Sequence, residues 1–565
     1  MKRSTAVLYA VAVLLAVGLY LHDLGSPHIP KNGDEYLYIQ ITRLTAAGGS
    51  FLPLRSEIPG MRNTKPPLLF WQGIVSTDWG RSPGLWRLRS PSVAYTFLTG
   101  LLVFLLGRRL GDTETGLVAL LAYLAFFSTY RYGRPFLTNA PEVFWLFVPF
   151  FALLHWRPAS FASRFAFPAA MGLALGLGLL YKSFALVVPV GLALALWYAH
   201  AREWRLGEVL EKDLAKVVVT LGISLAIFST WFLLDPDPRA VWDEFVVGEN
   251  VGKFDRAGSY LRGLVGGRFS LPSLAAGFLL NAGLLVLPFG ALLVSSWRRR
   301  GELREDERLL WIWVVTLFIV YCLPSQRSSR YLLPAMPAVA VLLALYWPRM
   351  RTGVLAATLV LAALPLVAII GLSLALQDAL AGPPLFGPVH WSLLACSGIV
   401  LLLAVLVPSL TRPGVLVGVL LVLLSFSSLL RPLDGPLGRY DARAQRAVAG
   451  RDVWVPVDFV AKEEGYRLLL PGARVNGYPE EPGASIRDLL ARYPLVAVRL
   501  RAAAPVGGEA SILGERLDLR GRQRGHEIRE MLAGDVSTHL FVREVLIERP
   551  RAGTARPPAL EERAP

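Results

Sequence analysis

The apolar residues of this chain fall in long blocks separated by short polar connections. Blocks lie at about 5–22, 90–107, 114–130, 136–156, 165–181, 184–200, 214–234, 273–296, 309–323, 331–347, 353–376, 391–410 and 413–430. Most approach the roughly 20 residues that an α-helix needs to cross a bilayer, so the pattern predicts about thirteen membrane-spanning helices. Charge alternates along the connections. Beginning with Lys2-Arg3, every second connection is short and basic: Arg108-Arg109, Arg157 with Arg164, the run from Arg202 to Lys216, Arg298 through Arg308, Arg349 with Arg351, and Arg412. Short Lys/Arg-rich loops stay on the cytoplasmic side, which puts the N-terminus inside and the C-terminus outside. The basic start and apolar run up to Tyr20 lack a small-residue cleavage signal, and read as a retained signal anchor.

The opposite face collects the remaining connections. Those of interest are a long first loop (about 23–89), Tyr130–Arg134, Tyr181-Lys182-Ser183, Asp235 to about Pro272, Ser325–Arg330, and the tail. From about Arg431 the spans stop. Strand-like runs (Val453–Val457, Leu495–Leu500, Thr538–Ile547) then alternate with helix-like ones (Ala461–Leu470, Ser485–Arg492, His526–Leu532). The chain therefore divides into a membrane domain, 1–430, a small α/β domain outside the membrane, 431–548, and a disordered Pro/Arg/Glu-rich end, 549–565. The fold class is a polytopic α-helical membrane protein with a C-terminal extramembrane α/β domain.

Composition agrees with that class and narrows the partners. The chain is 54% hydrophobic and only 18% charged, unlike a soluble protein of 565 residues. Its net charge of +16 belongs mostly to the membrane part, because the tail is nearly neutral. Basic excess in such a protein serves cytoplasmic loops and anionic lipid headgroups, so membrane lipids are expected partners and nucleic acid is not. Cys322 and Cys396 both sit in apolar runs, and suggest neither a disulfide nor a zinc site.

Candidate chemistry concentrates in Asn32–Trp71. It opens with Asp34 and Glu35 and closes with Lys65-Pro66-Pro67 leading into Phe70-Trp71. Leu37, Ile41 and Leu44 have helical spacing, which predicts an amphipathic helix over Asp34–Ala46 lying on the membrane surface. Asp34 would sit near its N-terminus, where the dipole favours the ionised form. Arg62, Lys65, Arg131, Arg134, Lys182, Arg256, Arg327 and Arg330 all lie on the outer face or at span ends that open there. Singly, each is explained by a helix C-terminus or by snorkelling. Supplied together by several loops, they read as a phosphate-binding pocket.

The acidic pair after the first span, followed by a lysine in Lys65-Pro66-Pro67-Leu68-Leu69-Phe70-Trp71, resembles the membrane glycosyltransferases of the GT-C class. The likeness is to bacterial aminoarabinose–lipid A transferases and the protein O-mannosyltransferases. It extends to the small-residue run Gly172–Leu180 before Tyr181-Lys182-Ser183, and to Ser325–Pro334, which carries Arg327, Arg330 and Tyr331-Leu332-Leu333-Pro334. The resemblance implies a GT-C fold in the inner membrane of a bacterium, and an inverting transfer of a sugar from a polyprenyl-phosphate donor to a periplasm-facing acceptor. That acceptor would be lipid A or another glycolipid sooner than a protein hydroxyl.

It further implies that Asp34 is the catalytic carboxylate with Glu35 beside it, and that Lys65 is a ligand of the donor phosphate. Arg62, Arg131, Arg134, Lys182, Arg327 and Arg330 are further phosphate-ligand candidates. Asn139, Glu142 and Tyr331 are candidates for the acceptor or sugar pocket. The sequence departs from the pattern twice. Where the family has Thr-Asp-x-Pro, this chain has Thr138-Asn139-Ala140-Pro141, an amide that cannot serve as base, and Glu142 is expected to point elsewhere on its helix. Thr64 stands where aminoarabinose transferases often have Glu before the lysine, so the metal is unassigned. No cofactor is required by the residues, and a divalent metal stays open.

Two other classes compete. A transporter or flippase of a lipid-linked anion would also need many spans and a cationic cavity, but should show repeat symmetry and charges at mid-membrane. Neither is legible here. An inactive glycosyltransferase-like scaffold is the reading that Asn139 favours.

Overall fold

A computed structural model describes residues 3–28, 33–253, 260, 263–380, 384–435, 437–480, 485–501, 511–520 and 523–549. Arg256 and nearly all of 549–565 lie outside the described residues. The chain forms two compact units: 1–370 with 387–429, and 371–386 with 430–565.

The first unit is helical throughout, and every apolar block identified above falls on helix. Seven helices are long and apolar enough to cross a membrane: Leu85–Leu110, Phe184–Ala201, Leu214–Leu234, Ser329–Arg349, Thr352–Asp378, Pro388–Leu406 and Pro408–Asp434. Shorter apolar helices include Ala6–Leu21, Thr113–Ala125 and Ala166–Tyr181. This is a multi-span helical membrane protein.

The block at 273–296 is not one straight span. Helices Leu271–Leu280 and Gly283–Arg298 meet at 104°. The break has a local cause. Gly283 takes φ +60°, and a Cβ there would lie 2.5 Å from Phe127 Cβ, so only glycine fits the turn. Asn281 secures the corner: its Nδ2 donates to Ser329 O at 3.0 Å, and its carbonyl accepts from Ser128 N–H at 3.1 Å.

Close helix approach fixes another part of the site. Cβ atoms added at Gly172 and Gly176 would lie 2.7 Å from Thr220 O and 2.8 Å from Ile227 Cβ. This small-xxx-small pair lets helix Ala166–Tyr181 lie against Leu214–Leu234, and Lys182 caps its end.

The first loop does contain a helix, Gly33–Ala47, but it does not lie on a surface. Glu35 and the whole run from Leu37 to Thr42 are buried, and the helix packs on Leu68–Ser76. Apolar spacing read as a stripe was the visible part of an almost fully enclosed helix.

The second unit carries a five-stranded mixed sheet, ordered β2-β1-β3-β5-β4. The strands are β1 Asp452–Val457, β2 Arg474–Pro479, β3 Leu495–Arg501, β4 Ser511–Leu519 and β5 Phe541–Glu548. β1 pairs parallel with β2 and β3, while β5 pairs antiparallel with β3 and β4. Both faces are covered. Val453, Val455, Leu495, Ala497 and Leu546 pack with Tyr440 and Tyr466 on one side, and Val496, Val498, Val545 and Ile547 with Leu490 on the other. The strand expected over Thr538–Ile547 starts later, because Val536–Leu540 forms a helical turn.

Candidate active site

Asp34 lies in the first turn of helix Gly33–Ala47, and its Oδ2 is 2.5 Å from Arg330 Nη1. Arg330 Nε donates to Asn139 Oδ1 at 2.9 Å, and Asn139 Nδ2 donates to Glu142 Oε2 at 3.4 Å. That same oxygen lies 3.3 Å from Lys182 Nζ, which also reaches Thr138 Oγ1 at 3.4 Å. One continuous polar chain thus joins four segments far apart in sequence. The Arg330 guanidinium stacks over the Tyr132 ring at 5.1 Å.

Burial alone would push the Asp34 carboxyl up, but the Arg330 charge and hydrogen bond, with the fields of Lys65 and Lys182, hold it below the ordinary carboxylate range. Asp34 is therefore ionised at neutral pH. Burial pushes the Tyr38 phenol up, so the aromatic hydroxyl one turn along stays neutral.

Glu142 faces this cluster, contrary to expectation. Residues three apart on a helix share a face, so Asn139 and Glu142 point the same way at the start of helix Asn139–His155. The carboxylate absent at Asn139 is present one turn later.

The second half of the first loop meets the loop after Asp235. Lys65 Nζ is 3.1 Å from Glu249 Oε2 and 2.7 Å from Thr64 O. Glu244 Oε2 accepts from Asn63 N–H at 2.9 Å, and Asn250 Oδ1 from Ser183 Oγ at 2.8 Å. Arg62 lies 3.6 Å from Asp237 and 3.9 Å from Asp235. Glu244, Glu249 and Asn250 all belong to a π-helical segment, Trp242–Asn250, which carries Glu244 and Glu249 onto the first loop and Asn250 onto Ser183. Sequence reading missed them. The signal was the density of acids in this loop (Asp235, Asp237, Asp243, Glu244, Glu249) opposite a basic one.

The other candidates go elsewhere. Glu35 is buried with Arg89, in a two-pronged pair with both N···O distances at 2.7 Å, and Oε1 also accepts from Phe136 N–H at 2.7 Å. Arg89 donates as well to Leu24 O at 3.0 Å and Ser26 O at 2.5 Å. Arg134 is buried, donates to the carbonyls of Tyr20 and His22, and stacks over Tyr130. Arg327 donates to Cys322 O at 2.8 Å and Phe269 O at 3.1 Å, beneath Tyr260. Arg131 is exposed over the Tyr132 ring, and Tyr331 stacks on Tyr321 at 5.4 Å.

An apolar groove of about 820 Å³ is lined by Phe51, Leu68, Trp71, Tyr95, Tyr181 and Leu234 among others. Its polar seam is Tyr181, which donates to Gln72 Oε1 at 2.7 Å and lies 3.3 Å from Tyr95 Oη. The next residue in the chain is Lys182. Among the described residues, no group of three or more His, Cys, Asp or Glu side chains is arranged to hold a metal ion.

Residues 64–233 match the family described as dolichyl-phosphate-mannose-protein mannosyltransferase. The match takes in Lys65, Asn139, Glu142 and Lys182, and leaves Asp34 and Arg330 outside. The chain is 30% identical over 319 residues to an undecaprenyl phosphate-alpha-4-amino-4-deoxy-L-arabinose arabinosyl transferase of Sodalis glossinidius, over 55% of this chain and 54% of that protein. It is 29% identical over 340 residues to the arabinosyl transferase of the same name from Pseudomonas aeruginosa, over 59% and 58%. The chain thus spans little more than half the length of the curated relatives it matches. Its fold is that of ArnT from Cupriavidus metallidurans. The apo structure superposes with a TM-score of 0.60 at 17% identity, covering 95% of this chain and 97% of that one. The undecaprenyl phosphate-bound structure superposes with a TM-score of 0.60 at 18% identity, covering 99% and 100%. The chain resembles a GT-C aminoarabinose transferase in sequence and in fold.

Proposed function

We propose that this protein is an inverting glycosyltransferase that moves a sugar from a polyprenyl phosphate to a lipid or glycolipid acceptor on the outer face of a bacterial inner membrane. The observation that carries the reading is the Asp34–Arg330 pair, joined through Asn139 and Glu142 to Lys182, the residue after the groove-lining Tyr181, and within the field of Lys65. The names of the similar proteins point the same way, to undecaprenyl phosphate as the sugar carrier.

The chemistry follows from the charges. An acceptor oxygen attacks the anomeric carbon as the bond to the donor phosphate breaks, and the electron pair leaves on the phosphate. Fixed cations in a water-poor site stabilise that developing charge. Lys65 and Lys182 take this part, with Arg62 at the rim. Asp34, kept ionised by Arg330, orients the acceptor and accepts its proton where the acceptor is a hydroxyl. A phosphate acceptor arrives already nucleophilic and needs Asp34 only for orientation. Glu142, held by Lys182 and Asn139, supplies the second carboxylate of the site. The groove suits a polyprenyl chain, with Tyr181 marking where the chain ends and the phosphate begins.

Glu35, Arg134 and Arg327 are given positioning roles, because each is spent on buried partners or backbone carbonyls. In the same reading the membrane unit has thirteen spans, counting the short helices and the bent pair. The N-terminus is cytoplasmic, and the sheet-bearing unit lies outside the membrane on the periplasmic side. The alternation of basic loops supports that orientation.

The test is reconstitution of the purified protein with a polyprenyl-phosphate sugar and a lipid A acceptor. The expected result is stoichiometric polyprenyl phosphate and a new glycosidic product. Movement of the donor across liposomes with no product would instead establish a transporter.

A further inference from the structure

A second cavity, of about 290 Å³, lies far from Asp34. The span Ser329–Arg349 fixes the separation: Arg330 at its start touches Asp34, and Arg349 at its end lines the second cavity. At about 1.5 Å per residue the two ends are roughly 30 Å apart, the thickness of a hydrocarbon core. The cavity therefore opens at the other membrane interface.

Its floor is leucine-rich and its rim is cationic. Arg299 is paired with Glu302 at 2.9 Å, and Arg304 with Glu307 at 3.1 Å, so both guanidinium groups are held in place at the rim. Arg349 makes no ion pair among the described residues. The rim thus brings three cations and two carboxylates, an excess of one positive charge. Trp311 also lines it, with its indole N–H buried and without a hydrogen-bond partner among the described residues. A buried donor of this kind is destabilising until an acceptor arrives. One surplus positive charge, one unused N–H and an apolar floor at a membrane interface complement a singly charged group rich in acceptor oxygens.

We propose that this cavity binds a phosphate group at the membrane interface opposite the candidate active site. The ligand chemistry is a phosphate monoanion, either the diester of an anionic phospholipid headgroup or free phosphate, and Arg349 and Trp311 are its principal ligands. A headgroup would use the leucine floor for the first carbons of its acyl chains, whereas free phosphate would leave it empty. The site is independent of the proposed transferase activity.

The experiment measures the thermal midpoint of the full chain in nanodiscs of phosphatidylcholine. Comparison samples contain phosphatidylcholine mixed with phosphatidylglycerol, or phosphatidylcholine alone with inorganic phosphate at matched ionic strength. A ligand bound only by the folded state raises the midpoint. We expect phosphatidylglycerol to raise it by several degrees in the wild type and in Arg300→Gln, which removes an exposed charge outside the cavity. Arg349→Gln and Trp311→Phe should each lose most of that rise while keeping the phosphatidylcholine baseline. A rise with inorganic phosphate that the same two variants lose would identify free phosphate as the source. The proposal is overturned if neither addition raises the wild-type midpoint. It is equally overturned if Arg300→Gln loses as much as Arg349→Gln, or if Trp311→Phe, the milder variant, loses nothing.

Discussion

Arg330 Nη1 meets Asp34 Oδ2 at 2.5 Å, while Nε of the same guanidinium holds Asn139 Oδ1 at 2.9 Å. One side chain therefore orients both the acid of the first loop and the amide that opens the Asn139–His155 helix. Because the Arg330 charge opposes protonation, Asp34 stays ionised to lower pH than an ordinary carboxyl. The acid limb of a pH–rate profile should lie below the usual carboxylate range. In Arg330→Gln it should move upward, towards or beyond that range, since burial remains and the cation is gone. The linked stability has the same sign: a depressed pKa contributes above the unfolded value, and that contribution is lost as pH falls through the folded one. An unshifted acid limb in Arg330→Gln would show that another group controls the rate.

Lys65 and Glu249 lie 3.1 Å apart, so the donor phosphate must compete with a carboxylate for the lysine. Lys65→Ala should raise the KM for a polyprenyl-phosphate sugar by about 10–100-fold, the equivalent of a charge-assisted hydrogen bond. Glu249→Gln should lower that KM, because a neutral amide competes less well. Steady-state kinetics with donor varied at saturating acceptor distinguish the two directions.

Arg89 and Glu35 form a buried pair, 1% and 3% exposed at their side chains. Removing one partner strands the other charge, a loss of about 3–5 kcal/mol. Glu35→Ala should therefore lower the thermal midpoint in detergent, and the activity left should follow the folded fraction. A fully stable but inactive Glu35→Ala protein would instead return Glu35 to the reacting groups.

In the sheet unit, Glu544 lies between Arg499 at 3.1 Å and Arg516 at 2.5 Å, and all three are cross-strand neighbours in one row. Opposing carboxylate oxygens hold both guanidinium groups charged against burial. Glu544→Ala leaves two cations in an enclosed layer and should destabilise the unit by about 3–5 kcal/mol. Limited proteolysis of the sheet unit should show earlier cleavage than in the wild type.

Much of this architecture was legible in the sequence because it is written in local pattern. Apolar blocks marked the helices, and β1, β3 and β5 announced themselves as β-branched runs. β2 and β4 were missed for a physical reason: both are edge strands, and polar or glycine-bearing sequences such as Arg474–Pro479 suit an edge. At the site, Asp34, Lys65, Lys182 and Arg330 were visible as charges at span ends. Their pairing was not, since Arg330 lies 296 residues from Asp34 and Glu249 lies 184 from Lys65. The burial of Glu35 was hidden for the same reason, its partner Arg89 being 54 residues away. The orientation of Glu142 was readable from the three-residue step on a helix, and the departure at Asn139 drew attention away from it.

The central claim is that the Asp34 carboxylate serves the transfer itself. The direct measurement is release of polyprenyl phosphate from a polyprenyl-phosphate sugar by wild type and by Asp34→Asn, both shown to be folded by their thermal midpoints. The account predicts a fall in kcat of at least about 100-fold in Asp34→Asn, of the order expected for loss of a general base or orienting charge. Turnover by Asp34→Asn at the wild-type rate would contradict it.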